Sequence, residues 1–155
     1  MADNINIYTD GSCNHIHKIG AWAAILLIDD NEILISGHEE NTTHNRMELS
    51  AVIKAIEHIF REYSDHEQIT IYTDSQYVVN LQIRKEKLVA NQFRTKRDVP
   101  IQNDDLVEKL IGYMEKYPVS FVKVKAHLKK GVEKNYNRMA DQACRKIMRE
   151  RINKL

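Results

Sequence analysis

The chain has 155 residues, 23 Lys and Arg against 22 Asp and Glu, and a formal net charge of +1, with 43% hydrophobic and 29% charged residues. These are ordinary globular values for one domain with a real core, and no apolar run approaches the length of a membrane span or a signal-peptide core. Cys13 and Cys144 are the two cysteines and form no Cys-x-x-Cys pattern, which argues against a disulfide scaffold or a cysteine zinc site and for a reducing cytoplasm.

The first element is Ile5-Asn6-Ile7-Tyr8-Thr9-Asp10, an alternating run rich in β-branched and aromatic residues that reads as a strand ending at an aspartate. Residues 11–20 are expected to be a loop. Residues 21–28 and 32–36 read as two more strands around the turn Asp29-Asp30-Asn31, so the first three strands form an antiparallel meander. A helix follows over about residues 43–63, with Thr42, Thr43 and Asn45 as N-cap candidates. With Glu48 at zero and about 100° per residue, Leu49, Val52, Ile53, Ile56, Ile59, Phe60 and Tyr63 fill an arc from about 20° to about 140°. Glu48 is therefore expected in the first turn, at the edge of the buried face.

The opening hexapeptide then recurs as Ile69-Thr70-Ile71-Tyr72-Thr73-Asp74. A strand, a helix and a like-oriented strand make a crossover unit, so Asp10 and Asp74 should end parallel strands at one rim. That is where open α/β sheets bind ligands. Residues from Gln76 to Ile83 are expected to begin another helix. Beyond it, Arg84, Lys85, Lys87, Arg94, Lys96 and Arg97 are opposed only by Glu86, and the stretch reads as a helix with a projecting loop closed by Val99-Pro100. Residues 104–117 form a helix stopped by Pro118, and residues 119–124 form the last strand. His127 follows, then a lysine-rich loop around Gly131. The final helix covers about residues 136–151, and Asp141 lies just beyond the edge of its apolar arc.

Thr-Asp-Gly and Thr-Asp-Ser can simply start turns, and a glutamate early in a helix can simply answer the helix dipole. Two matching copies in one small chain favour a paired site. Two carboxylates held close repel unless a cation sits between them, and oxygen ligands select magnesium or manganese. His127, after a strand and before a loop, is placed to shuttle a proton. The basic stretch suits a phosphate backbone.

The motifs Tyr8-Thr9-Asp10-Gly11-Ser12-Cys13, Thr42-Thr43-His44-Asn45-Arg46-Met47-Glu48-Leu49, Thr73-Asp74-Ser75-Gln76-Tyr77-Val78, Lys125-Ala126-His127 and Asn137-Arg138-Met139-Ala140-Asp141 cover almost the whole chain. In this order they resemble the type 1 ribonucleases H, of the bacterial kind without a hybrid-binding domain. The resemblance implies an α/β ribonuclease H-like fold: a mixed five-stranded sheet, the first three strands antiparallel and the rest parallel, flanked by helices. It implies one ribonuclease H domain over residues 1–155, with a basic protrusion near 84–99. The implied activity is endonucleolytic cleavage of the RNA strand of RNA–DNA hybrids, leaving 5′-phosphate and 3′-hydroxyl ends. Asp10, Glu48, Asp74 and Asp141 would hold two Mg2+ ions, with Mn2+ able to substitute, and His127 would assist proton transfer or product release. Cys13, Asn14, Asn45 and Gln76 would lie against the RNA minor groove, and Thr43 and Asn103 would grip a DNA phosphate. Arg84, Lys85, Arg94, Lys96 and Arg97 would track the DNA strand.

Three departures from the family stand out. The glycine- and proline-rich loop is replaced by Asn14-His15-Ile16-His17-Lys18-Ile19-Gly20, the protrusion carries Phe93 as its one aromatic in place of tryptophans, and the stretch from His127 to Asp141 is longer. With nine residues before Asp10, no separate hybrid-binding domain is expected, and the chain reads as a self-contained monomer. The alternatives are a non-catalytic hybrid-binding module and a nuclease domain derived from a reverse transcriptase.

Overall fold

A computed structural model describes residues 4–63, 68–125 and 135–155. Strands β1 (Asn4–Cys13), β2 (Gly20–Ile28) and β3 (Asn31–Glu39) form the expected antiparallel meander. Helix α1 (His44–Glu62) then carries the chain to β4 (Gln68–Thr73), which lies parallel to β1. The two hexapeptides pair residue for residue, with Ile5 opposite Ile69, Ile7 opposite Ile71 and Tyr8 opposite Tyr72. Helices α2 (Gln76–Ala90) and α3 (Asp104–Lys116) precede β5 (Val119–Lys123), which is parallel to β4, and α4 (Tyr136–Asn153) closes the order. The sheet order is β3-β2-β1-β4-β5.

Alternation along the strands divides the apolar residues between two faces. Ile5, Ile7, Ile69 and Ile71 point to the main core, where Leu49, Val52, Ile56 and Ile59 of α1 meet Val78 and Leu81 of α2 and Leu110 and Ile111 of α3. Ala21, Ala23 and Ile25 point to the other face, which Ala140 and Cys144 of α4 cover. There Tyr8 stacks on Tyr72 at 4.5 Å between ring centroids, and Tyr136 of α4 lies 5.3 Å from Tyr8. Among the described residues, no helix is long and apolar enough to cross a membrane.

Two expectations change. β1 does not end at Asp10, because Gly11, Ser12 and Cys13 stay paired with Trp22, Ala21 and Gly20. The connecting loop shrinks to residues 14–19. Helix α2 runs on past Ile83 into the basic stretch, as expected: no glycine or proline interrupts it, and buried Leu81 and Leu88 hold both halves to the core. Arg84 and Lys85 are therefore helical, and only residues beyond Ala90 form the loop. Glu48 is not at the edge of a buried face, nor in the first turn of α1, which begins at His44. Met47 and Ala51 are buried against Trp22, and Ala55 in the main core. Counting them widens the buried arc to about 240° at ~100° per residue, and Glu48 falls near its middle.

Candidate active site

Asp10 and Asp74 follow directly on the parallel pairing of β1 and β4, and the shared register brings both to one rim. Glu48 reaches that rim from α1. Gly11 makes the approach possible. A Cβ on it would lie 2.3 Å from the Glu48 nitrogen and the Met47 carbonyl carbon, so helix backbone packs where a side chain would be. Oxygens of Asp10, Glu48 and Asp74 lie within 4.8 Å of one another. Asp10 is 6% exposed and Glu48 1% exposed, whereas Asp74 is half-buried.

Burial pushes the Asp10 carboxyl up to about 8, with the charges of Glu48, Asp74 and Asp141 adding to the rise and the Gly11 backbone N–H opposing it. Burial also raises Glu48, against a hydrogen bond from His44. Within Glu48 the two oxygens differ. Oε1 lies 3.3 Å from His44 Nε2, and Oε2 is buried without a hydrogen-bond partner. An orphaned carboxylate oxygen among crowded acids, with only oxygen donors in the cluster, fits a hard divalent cation. Asp10, Glu48 and Asp74 are the residues placed to hold one.

Asp141 lines the same open cleft, of about 780 Å3, with Asn45, Gln76, Asn137 and Arg138. It stands outside the close cluster, and its carboxylate pairs with Arg145 one turn on at 3.1 Å. His127 and the lysine-rich loop 128–134 lie outside the described residues.

A second, smaller hollow of about 370 Å3 adjoins the first across α1's N-terminus, since His44 and Asn45 line both. It is also lined by Cys13 and Thr43. The Cys13 thiol donates to the Thr42 carbonyl at 3.4 Å, and the Thr43 hydroxyl caps α1 by accepting from the Arg46 N–H. Asn14 uses its side-chain oxygen to accept from the Ile16 and His17 N–H groups, which closes the shortened loop. Gln76, at the start of α2, donates to Asn80. Asn103 has a left-handed backbone (φ 59°); its amide donates to the Tyr77 hydroxyl and accepts from Arg46.

The basic residues separate into two groups. Arg84 and Lys85 project from α2, whereas Arg94 is tied to Asp98 by an ion pair of 2.7 Å and by a hydrogen bond to the Asp98 carbonyl. Among the described residues, exposed Lys96 and Arg97 have no ion-pair partner. Phe93 packs partly buried against the main core, which takes its ring away from any stacking role.

Sequence reasoning missed two residues at this site. His44 sits four residues before Glu48, the helical spacing that puts side chains on one face, and that spacing was the available signal. Arg46 forms a two-pronged pair with Asp105 at 2.8 and 3.0 Å while also donating to Asn103. No local pattern marks a contact between α1 and α3.

Comparison with known proteins agrees with this architecture. The RNase H family model matches residues 2–149. The ribonuclease H of Ehrlichia chaffeensis is 40% identical over 151 residues, covering 94% of this chain and 97% of that protein. The ribonuclease H of Thermoanaerobacter sp. (strain X514) is 37% identical over 142 residues, covering 90% and 86%. Among solved structures, LC9-RNase H1, described as a type 1 RNase H with the type 2 active-site motif, superposes with a TM-score of 0.76 at 20% identity, over 93% of this chain and 71% of that one. A foamy viral protease-reverse transcriptase in complex with double-stranded DNA superposes with a TM-score of 0.68 at 15% identity, over 92% and 91%. With a family model across nearly its whole length and relatives of this identity and coverage, the chain belongs to the ribonuclease H family.

Proposed function

We propose that the chain is an endonuclease that hydrolyses the RNA strand of RNA–DNA hybrids, leaving 5′-phosphate and 3′-hydroxyl ends. The observation that carries this reading is the cluster of Asp10, Glu48 and Asp74 within 4.8 Å, two of them buried, at the floor of an open cleft. Two divalent cations, Mg2+ in the first place and Mn2+ as a substitute, would be held by these three carboxylates with Asp141. Cations so held supply a water made nucleophilic near neutral pH and compensate charge on the attacking and leaving oxygens.

The protein's own part is to hold the hybrid in register over this cluster. Cys13, Asn14, Asn45 and Gln76 would face the RNA minor groove, where the ribose 2′-hydroxyls mark RNA. Asn45 and Gln76 line the cleft beside the acids, and Cys13 lines the adjoining hollow. Thr43 and Asn103 would take a DNA phosphate, with Asn103 held in place by Arg46 and Tyr77. Arg84, Lys85, Lys96 and Arg97, with the partly neutralised Arg94, would follow the DNA strand through phosphate contacts. His127 would move a proton near the leaving group. Residues 1–155 would work as one ribonuclease H domain, as a monomer, and the two free cysteines suit the cytoplasm.

The test is a hybrid with labelled RNA and DNA strands, incubated with Mg2+, with Mn2+ or with chelator. Cuts confined to the RNA strand, requiring metal and leaving 5′-phosphates, are expected. Tight, salt-sensitive binding without cleavage would instead support the non-catalytic module.

A further inference from the structure

Glu48 is the most enclosed of the clustered acids, 1% exposed. Its side chain is long and its terminal torsion is intrinsically broad, so burial alone does not fix the carboxylate plane. The Gly11 backbone N–H reaches the carboxylate, and the structure supplies one side-chain contact besides. His44, the first residue of α1, lies four residues earlier on the same helical face, with Nε2 3.3 Å from Glu48 Oε1. The other oxygen, Oε2, has no hydrogen-bond partner although it is buried. The histidine side chain is 56% exposed and lines both the main cleft and the adjoining hollow, so its ring stands at the mouth of the site.

We propose that His44 is a positioning residue for Glu48: it donates from Nε2 to Oε1, fixes the carboxylate plane, and leaves Oε2 presented to a divalent cation. The inference rests on the reading of Asp10, Glu48 and Asp74 as a cation site. It is the arrangement by which hydrogen-bonded partners outside the ligand shell orient a metal-binding carboxylate. A merely cationic histidine at this distance would act with the opposite sign, because a positive ring beside the cluster repels a metal ion. Metal affinity therefore separates the two roles.

The experiment is a Mn2+ titration of the metal-free protein without nucleic acid, with free Mn2+ followed by electron paramagnetic resonance. It compares wild type, His44→Ala and His44→Gln. Loss of the donor in His44→Ala should weaken Mn2+ binding by about 10- to 100-fold, and His44→Gln, whose amide N–H reaches across one helical turn, should remain within about threefold of wild type. Both variants lose the ring, so a difference between them reports the hydrogen bond. His44→Ala binding Mn2+ as tightly as wild type or more tightly, or His44→Gln as weak as His44→Ala, overturns the proposal and leaves the cation site standing. Wild type without measurable Mn2+ binding overturns the cation site and the proposal together.

Discussion

The two hexapeptides pair in register and end in the same Thr-Asp, yet their aspartates occupy different surroundings. Asp10 is almost fully enclosed, because β1 runs on to Cys13 and α1 packs its backbone over Gly11. Asp74 is half-buried, because β4 stops at Thr73 and the chain turns directly into α2. There the Thr73 hydroxyl accepts from the Ser75 N–H, and the Ser75 hydroxyl accepts from the Val78 N–H. One copy surrounds its carboxylate with backbone, and the other leaves its carboxylate at a helix start. The lesson is that the residue after the aspartate, more than the strand before it, decides what the aspartate becomes.

The largest expected effect tests what the two copies share. Asp10→Asn and Asp74→Asn should each lower hybrid cleavage by several orders of magnitude, since on the proposed reading each removes a carboxylate that holds metal and with it much of the charge stabilisation at the reacting phosphate. Single-turnover assays with Mg2+ check this. Full cleavage by either variant would remove that aspartate from the site. The next effect tests what they do not share. The enclosed Asp10 carboxyl, raised from 3.8 to about 8, keeps in the folded state a proton that the unfolded chain releases. The metal-free protein is therefore most stable at the acid end of this window and loses stability as pH rises towards 8, by on the order of a few kcal/mol. The raised Glu48 and His44 act in the same direction. Urea midpoints in chelator should fall between pH 5 and pH 9, Asp10→Asn should flatten the fall, and saturating Mg2+ should restore the alkaline midpoint by binding the folded state. An equal flattening by Asp74→Asn would erase the distinction between the copies.

Much of this was legible in the sequence, and the unread part has physical causes. The antiparallel meander followed from alternation and the parallel relation of β1 and β4 from the crossover rule, because a period of two and a helix between like strands leave little choice. The pairing of Asp10 with Asp74 was visible as a repeat. The periodicity of branched and aromatic residues puts Glu48 at the edge of a face, because the alanines and Met47 that complete its surroundings carry no branched side chains. The continuation of β1 depends on β2 as a partner, and the contact of Arg46 with Asp105 depends on α3; neither can be seen along one segment. The role of His44 is not legible along the chain, because a histidine gains meaning only from the oxygen it touches.

In stability the smallest effects come from the residues after each aspartate, and they sharpen the contrast most directly. Gly11 has no positive φ, so its backbone suits any residue; what requires glycine is the helix backbone 2.3 Å from a would-be Cβ. Backbone does not move aside as a side-chain tip does. Gly11→Ala should cost about 1–3 kcal/mol of stability, as overpacking does. By pushing α1 away it should also separate Glu48 from Asp10, with loss of cleavage. Ser75→Ala removes one helix cap, at a cost of about 1 kcal/mol. Asp74 is fixed by β4 before that cap, so cleavage with Mg2+ should fall only about threefold, and Ser75→Thr, which keeps a capping hydroxyl without adding charge, should recover most of the lost stability. Denaturant midpoints and cleavage rates measured on the same samples separate the two positions. If Ser75→Ala destroyed activity as completely as Gly11→Ala, the start of α2 would be holding Asp74 as tightly as α1 encloses Asp10, and the two copies would be equivalent after all.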